Sequence, residues 1–585
     1  MRYPTLEEIS TQRYTINEFR GYNHNLRISD GEFYDMQNMT STYYPVLSPR
    51  RKRGVYASPA NAQGLIAKDS LCYVDGSYFV MNEYRIDMGL SVAEEDCPKT
   101  LVSMGAYVII LPDKKYINTA DVTDYGNIEA SFTTNSDVTF SLCTVDGTEY
   151  TDATVSPSEP ESPNNLDLWI DTSSTPHTLK KYSTASAVWV AVPTTYIKIS
   201  ATGIGTAFGQ YDGITVSGIK LANLQDLNGS AVVWSRSDDF IVVVGILDMA
   251  ATQSLTEDGA ITVARTMPNL DFITESENRL WGCRYGVAAN GDVVNEIYSC
   301  KLGDFKNWNC FMGLSTDSYV ASCGTDGQFT GAITHLGYPL FFKENYLHKV
   351  YGNFPSNFQI QTTACRGVQK GCERSLAIVN ETLFYKSRSG VCAYDGSLPS
   401  EVSAQLGEEL YSDAVACAHH NKYYISMKDT SGVYHLFVLD AAKGMWHKED
   451  NTQVYDFCSC REELYYIDKA DGKIKTILGS GTAETDPVPW MAETGVIGTD
   501  SPDKKYVSRL SVRMALDIGA RASFFVEYDS GGGWQHLFTM TGTKLQSFVV
   551  PIRPRRSDHM RLRIVGEGSA KIYSITKTVE EGSDS

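Results

Sequence analysis

Apolar and aromatic positions in this chain fall in short runs separated by polar turns, and the runs come in pairs. "LCYVDGSYFVM" from Leu71, "YVIILPDKKYI" from Tyr107, "RLWGCRYG" from Arg279, "PLFFKENYLHKVYG" from Pro339, "TLFYKSRSGVCAYDG" from Thr382, "KYYISMKDTSGVYHLFVLD" from Lys422 and "ELYYIDKADGKIKTIL" from Glu463 share this form. Runs of this length predict β-hairpins. Asp75-Gly76, Asp395-Gly396 and Asp471-Gly472 stand where such turns need a positive φ, which glycine adopts cheaply. Aligned on their first large apolar residue, the units start at Leu71, Tyr107, Leu280, Leu340, Leu383, Tyr424 and Leu464, with last steps of 43, 41 and 40 residues. A four-stranded propeller blade occupies that period, so the expectation is an all-β chain built on a β-propeller of about seven blades. A sandwich with regularly spaced hairpins competes for the same spacing.

The period breaks between Tyr107 and Leu280, a gap of 173 residues. This stretch holds a Pro/Ser loop, "TVSPSEPESPNN", between alternating runs such as "DVTFSLCTV" and "TTYIKISATGI". It predicts an inserted β-rich module at 125–262, splitting the propeller into 55–124 and 263–487. Beyond 488 the hairpin repeat stops. "YVSRLSVRMALDI" places Leu510, Val512, Met514 and Leu516 on one face, and "MRLRIV" does the same with Met560, Leu562 and Ile564. One buried and one wet face predicts a C-terminal β-sandwich at 488–585. Residues 1–54 precede the first blade and read as an N-terminal arm.

Composition narrows the function. The net charge of −19 argues against a protein whose main task is gripping nucleic acid, though not against a surface past which DNA slides. The start, "MRYPTLEEISTQRY", lacks the apolar stretch of a signal peptide, and the longest apolar run, "FIVVVGILDMAA", is too short to span a bilayer, so a cytoplasmic origin without membrane contact is expected. Thirteen scattered cysteines suit reduced, strand-buried thiols.

Candidate chemistry is sparse. Cys458 and Cys460, with Cys417, His419 and His420 about 40 residues earlier, are the one grouping with metal-ligating side chains, but Cys-x-Cys is an unusual zinc spacing and no metal is assigned. "DSGGGWQH" from Asp529 approaches an Asp-box turn yet reads better as a Gly-rich hairpin. No phosphate-binding loop, nucleophile elbow or convergent carboxylate pair is visible, so no catalytic residue or cofactor is assigned and the expectation is a protein that is not an enzyme. Two basic clusters stand out in so acidic a chain: Arg50, Arg51, Lys52 and Arg53, then Arg553, Arg555, Arg556, Arg561 and Arg563. Either they are solvated faces or they meet the acidic surface of a neighbour.

The opening "NEFRGYNHNLRISDGEFYDMQNMTSTYYPVLSPRRKRG" resembles the N-termini of tailed-bacteriophage virion proteins. "NRLWGCRYG…NEIYSCKLGDFKNWNCF", "LFYKSRSGVCAYDGSLPSEVS" and "DLWIDTSSTPHTLKKYSTASAVWVAV" are similar to further phrases of phage neck and tail proteins, in the same order along the chain. The resemblance implies a structural component of the virion, of the stabilisation, hub or nozzle type, assembled in the bacterial cytoplasm. It would form a homo-oligomeric ring beside portal, adaptor or tail proteins and help to close or line the DNA exit, with genomic DNA passing unbound and the N-terminal segment packing along the first blade and reaching a neighbour. Two alternatives remain: a receptor- or glycan-binding tail protein, with Trp169 and Trp189 as the contacts to inspect, and a propeller-type glycan-active enzyme.

Overall fold

Each of the seven aligned residues lies in the second strand of its repeat: Leu71, Tyr107, Leu280, Leu340 and Leu383 in separate four-stranded sheets, Tyr424 within a twelve-stranded sheet and Leu464 within a five-stranded one. The computed structural model describes residues 11–92, 99–134, 137–221, 224–246, 252–255, 261–288, 291–498, 504–553 and 555–581. Among these there is no α-helix, and so none long and apolar enough to cross a membrane. The start of the chain read for a signal peptide, residues 1–10, lies outside the described residues.

The sheets are the blades of a β-propeller. Blade 1 spans Ala62–Ala67 to Tyr84–Asp87, blade 2 Thr100–Met104 to Tyr125–Asn127, blade 3 Phe272–Ser276 to Tyr319–Ser322 and blade 4 Phe329–His335 to Gln359–Ala364. Blade 5 runs from Ala377–Val379 to Ser400–Glu401 and blade 6 from Ser412–His419 to Met445–Lys448. The second strand of a blade is covered on both faces by its neighbours, which is why its marker is large and apolar: Leu71, Leu280, Leu340, Leu383, Tyr424 and Leu464 are all buried. Gly76 and Gly472, at φ of +60° and +69°, make the hairpin turns.

By internal packing the chain divides into two compact units, residues 1–101 with 342–347 and 363–585, and residues 102–341 with 348–362. In the first unit, blade 7 takes Val454–Cys460, Glu463–Asp468 and Ile474–Thr476 from late in the chain and its outer strand, Gly54–Ala57, from early in it. Blades 7 and 1 share a core of Leu65, Leu71, Cys458, Cys460, Ile467 and Ile474.

The segment read as an arm is sewn into this unit instead. Gly21–Tyr22 pairs with Trp446 of blade 6 on one side and runs parallel to Glu32–Gln37 on the other. Glu32–Gln37 pairs with Pro489–Thr494, and Thr11–Ile16 pairs along its length with the C-terminal strand Ala570–Glu581. Gly21 is required at its place: at φ +82°, a Cβ there would lie 2.3 Å from the Trp446 carbonyl oxygen. The expectation of a segment along the first blade reaching a neighbour is therefore corrected for residues 11–54. Phe19, Tyr22, Phe33, Met36, Met39 and Leu47 are buried, and their apolar surface holds the segment to its own chain.

The C-terminal strands form two leaves around one shared strand. Lys505–Tyr528 pairs with Ala570–Glu581 over its first half and with Met560–Glu567 over its second, on either side of an irregularity at 517–520. Val507, Val526 and Met560 pack across the leaves, with Val579 beside them. Leu510, Val512, Met514, Leu516, Leu562 and Ile564 face inward as the alternation predicts.

The second unit holds blades 2 and 3, most of blade 4, and an inserted module. The module runs from Ala130–Thr133 to Thr262–Arg265, two strands that pair antiparallel so that Ala130 faces Arg265. The expected start at 125 falls instead in blade 2, where Tyr125–Asn127 pairs with Lys115–Asn118. Three small sheets enclose a separate core that includes Phe140, Ile170, Ile199, Ile214, Ile241 and Val263. At its root Arg265 pairs with Asp212 and donates from Nε and Nη2 to the Ile128 carbonyl at 3.2 and 3.1 Å, while Asn307 Nδ2 donates to Asp212 Oδ1 at 2.9 Å.

Candidate assembly surface

The C-terminal leaves end in a long open edge. Gln535–Val550, sixteen residues, pairs among the described residues with Lys505–Tyr528 alone, which leaves its other side without a strand. The turn joining the two is "DSGGGWQH". It is a glycine-rich hairpin: Asp529 and Ser530 take positive φ, and the Gly532 amide donates to Glu527 Oε1 at 2.8 Å. Phe538, Leu545 and Val549 are exposed along the edge strand, and Ile518, on the irregularity beside it, is fully exposed. Sequence reading passed over this strand. Its open edge depends on which strands fail to pair with it, and no local pattern encodes that.

The two basic clusters divide by partner. Arg53 is buried, with Nη2 at 2.7 Å from Glu449, Nη1 at 2.9 Å from Asp450 and the Tyr466 ring beneath its guanidinium. Arg50 donates to Asn38 Oδ1 at 2.7 Å and lies 3.3 Å from Glu484. Arg561 lies 2.8 Å from Glu493 and donates from Nε to Glu527 at 2.8 Å, and Arg563 Nε donates to Glu493 at 2.8 Å with its guanidinium over the Trp534 ring. Glu493 and Glu527 are themselves buried and need these cations. Arg50, Arg53, Arg561 and Arg563 thus hold their own fold together and are withdrawn as contacts with a neighbour. Arg51, Lys52, Arg553, Arg555 and Arg556 are exposed, and the last three follow directly on the open edge.

The glycan contacts are corrected as well. Trp169 is only 5% exposed, its Nε1 donating to the Ser156 carbonyl at 2.9 Å. Trp189 stacks edge-on against it at 5.5 Å and is half-buried, so neither ring offers an open face of the kind a sugar would stack on.

The metal grouping does not assemble among the described residues, where no three His, Cys, Asp or Glu side chains gather as ligands. Burial pushes the Cys417 thiol up to about 12 and Cys458 higher still, so both keep their protons. The twelve described cysteines are free thiols, nine of them buried in the cores.

No family model and no curated protein matches this chain. Solved structures with some likeness include an exo-β-1,3-galactanase from Phanerochaete chrysosporium, 9% identical over 52% of this chain and 94% of that one, with a TM-score of 0.22. Others are an acylaminoacyl peptidase from Pyrococcus horikoshii, 10% identical over 56% and 49% with a TM-score of 0.23, and Raptor from Chaetomium thermophilum, 10% identical over 74% and 30% with a TM-score of 0.27. The expectation of a protein that is not an enzyme is corrected by this set, which includes glycoside hydrolases. It is withdrawn, and no activity is carried over at this level of likeness.

Proposed function

We propose that this chain is a structural component of a tailed-phage particle, in the neck or tail, working as one copy of a ring that closes or lines the DNA exit. The observation that carries the reading is the open edge Gln535–Val550. A sixteen-residue strand with one side open among the described residues and with exposed Phe538, Leu545 and Val549 is a template for pairing with another chain, and a protein that works alone blunts such an edge. The exposed Arg553, Arg555 and Arg556 beside it offer an acidic neighbour an electrostatic register. A second copy of a chain with net charge −19 supplies that surface, and a wall of this sign lets DNA slide past. The order of the four phage-like phrases supports the same assignment.

The test is the Leu545→Lys, Val549→Lys double variant. Both side chains are exposed, so the monomer keeps its thermal midpoint while ring formation, measured by analytical ultracentrifugation, and incorporation into particles both drop. Unchanged assembly and incorporation overturn the reading. Hydrolysis of a panel of aryl glycosides by the purified chain tests catalysis separately, and turnover there would replace the structural assignment.

A further inference from the structure

At the seam between blades 6 and 7 the N-terminal segment crosses a cavity of about 340 Å³, within the first unit. Its lining brings together Arg51, His419, Lys422 and Lys443. The carboxylates in the lining are already engaged. Asp440 accepts from Ser41 Oγ at 2.6 Å and Lys443 Nζ at 2.7 Å, and Glu449 pairs with Arg53. Lys422 Nζ donates to the Thr40 hydroxyl at 3.2 Å and makes no ion pair among the described residues, and the Arg51 guanidinium has no partner among them. His419 is 96% buried, being 4% exposed; its Nδ1 lies 2.9 Å from Ser459 Oγ, and its Nε2 is buried without a hydrogen-bond partner.

We infer that this cavity is a binding site for a small phosphorylated molecule, held by Arg51, Lys422 and the Nε2 of His419. Arg51 has no carboxylate, and Lys422 shares Asp440 and Glu449 with Lys443 and Arg53, which already engage them; together with a buried ring nitrogen lacking a partner this leaves positive charge and a polar group unsatisfied, which a tetrahedral oxyanion satisfies at once. A cavity of this size suits a small molecule better than a polymer. Burial, and then the neighbouring His420 ring, draw the His419 pKa down, so its imidazole is neutral at neutral pH. The Ser459 hydroxyl can donate or accept at Nδ1; in the tautomer in which it donates, Nε2 carries the proton and donates to a phosphate oxygen. The site is independent of the assembly reading, because it needs no second copy.

The experiment is isothermal titration of the full chain with pyrophosphate, inorganic phosphate and ADP at constant ionic strength, with sodium sulfate as the control anion. One saturable site for at least one phosphate probe, at least about tenfold tighter than sulfate, is expected. Arg51→Gln and Lys422→Gln should each weaken it by about tenfold or more, the loss of one charge-assisted hydrogen bond, and Arg555→Gln should leave it unchanged. Arg51 is exposed, so its variant folds whatever becomes of Lys422→Gln. Three results overturn the inference: no saturable heat with any phosphate probe, equal affinity for sulfate, or equal weakening by Arg555→Gln.

Discussion

Replacing Arg53 with alanine removes the cation at the seam where Gly54–Ala57 completes blade 7. It leaves Glu449 buried without its partner at 2.7 Å, and Asp450 with Arg50, at 3.6 Å, as its remaining cation beside the Thr452 hydrogen bonds. Removing one side of a buried ion pair costs about 3–5 kcal/mol, because the other charge stays desolvated. A chain with two compact units need not unfold in one step, so the measurement should be local: hydrogen exchange, read by mass spectrometry, on peptides covering 54–57 and 474–476. That cost corresponds to a loss of protection of roughly 10²-fold to several thousand-fold at neutral pH. The deficit must also depend on pH. Burial pushes the Asp450 carboxyl up, but Arg53, Thr452 and Arg50 outweigh it and hold the pKa below the ordinary 3.8. A carboxylate with a lowered folded pKa stabilises above its unfolded pKa, and that contribution is lost as pH falls through the folded value. In the variant Asp450 is no longer held ionised by Arg53 and takes up a proton more readily. The gap to the parent chain should therefore narrow between pH 7 and pH 4. Equal protection at neutral pH, or a gap indifferent to pH, would refute the argument.

Burial lowers the His447 pKa from 6.5 to about 3, helped by Lys422, so the unfolded chain takes the proton first. Stability should be whole above pH 6.5 and fall as pH drops towards 3, by a few kcal/mol from this group, and His447→Gln should flatten that limb in thermal scans across pH. Replacing residues 130–265 with a short Gly/Ser bridge should leave a soluble chain with an unchanged strand signal per residue, since Ala130 and Arg265 are paired neighbours; aggregation would count against a self-contained module. Asp212→Ala strands the buried Arg265 and should lower the melting point of this module by several degrees, whereas Asp226→Ala, exposed in the same module, should not.

What could be read from the sequence was local. Leu280, Leu340, Leu383 and Leu464 mark second strands because a strand covered on both faces needs a large apolar side chain whatever the rest of the chain does. The inserted module showed itself by breaking a period, and its end was missed by three residues because Thr262–Arg265 still alternates like its neighbours. Long-range pairing left no such mark. "PRRKRG" reads as a solvated run until Glu449, 396 residues away, meets Arg53. Arg561 and Arg563 look free until Glu493 arrives from a strand some 70 residues earlier. Trp169 could be placed on a strand but not on the inner side of a small sheet, since that depends on what packs over it.

The pairing of Thr15 with Thr576 sets a clock on synthesis. The two residues are 561 positions apart, which at about 5 to 20 residues per second is about 30 to 110 s of ribosome time. Throughout that interval Thr11–Ile16 has no partner strand, and Gly54–Ala57 waits nearly as long for Ile474–Thr476. Nascent chains on one message therefore present the same unsatisfied edges to each other before any of them can close. Yield should respond to growth temperature and to chaperones that shield nascent strands, even where the finished fold is stable.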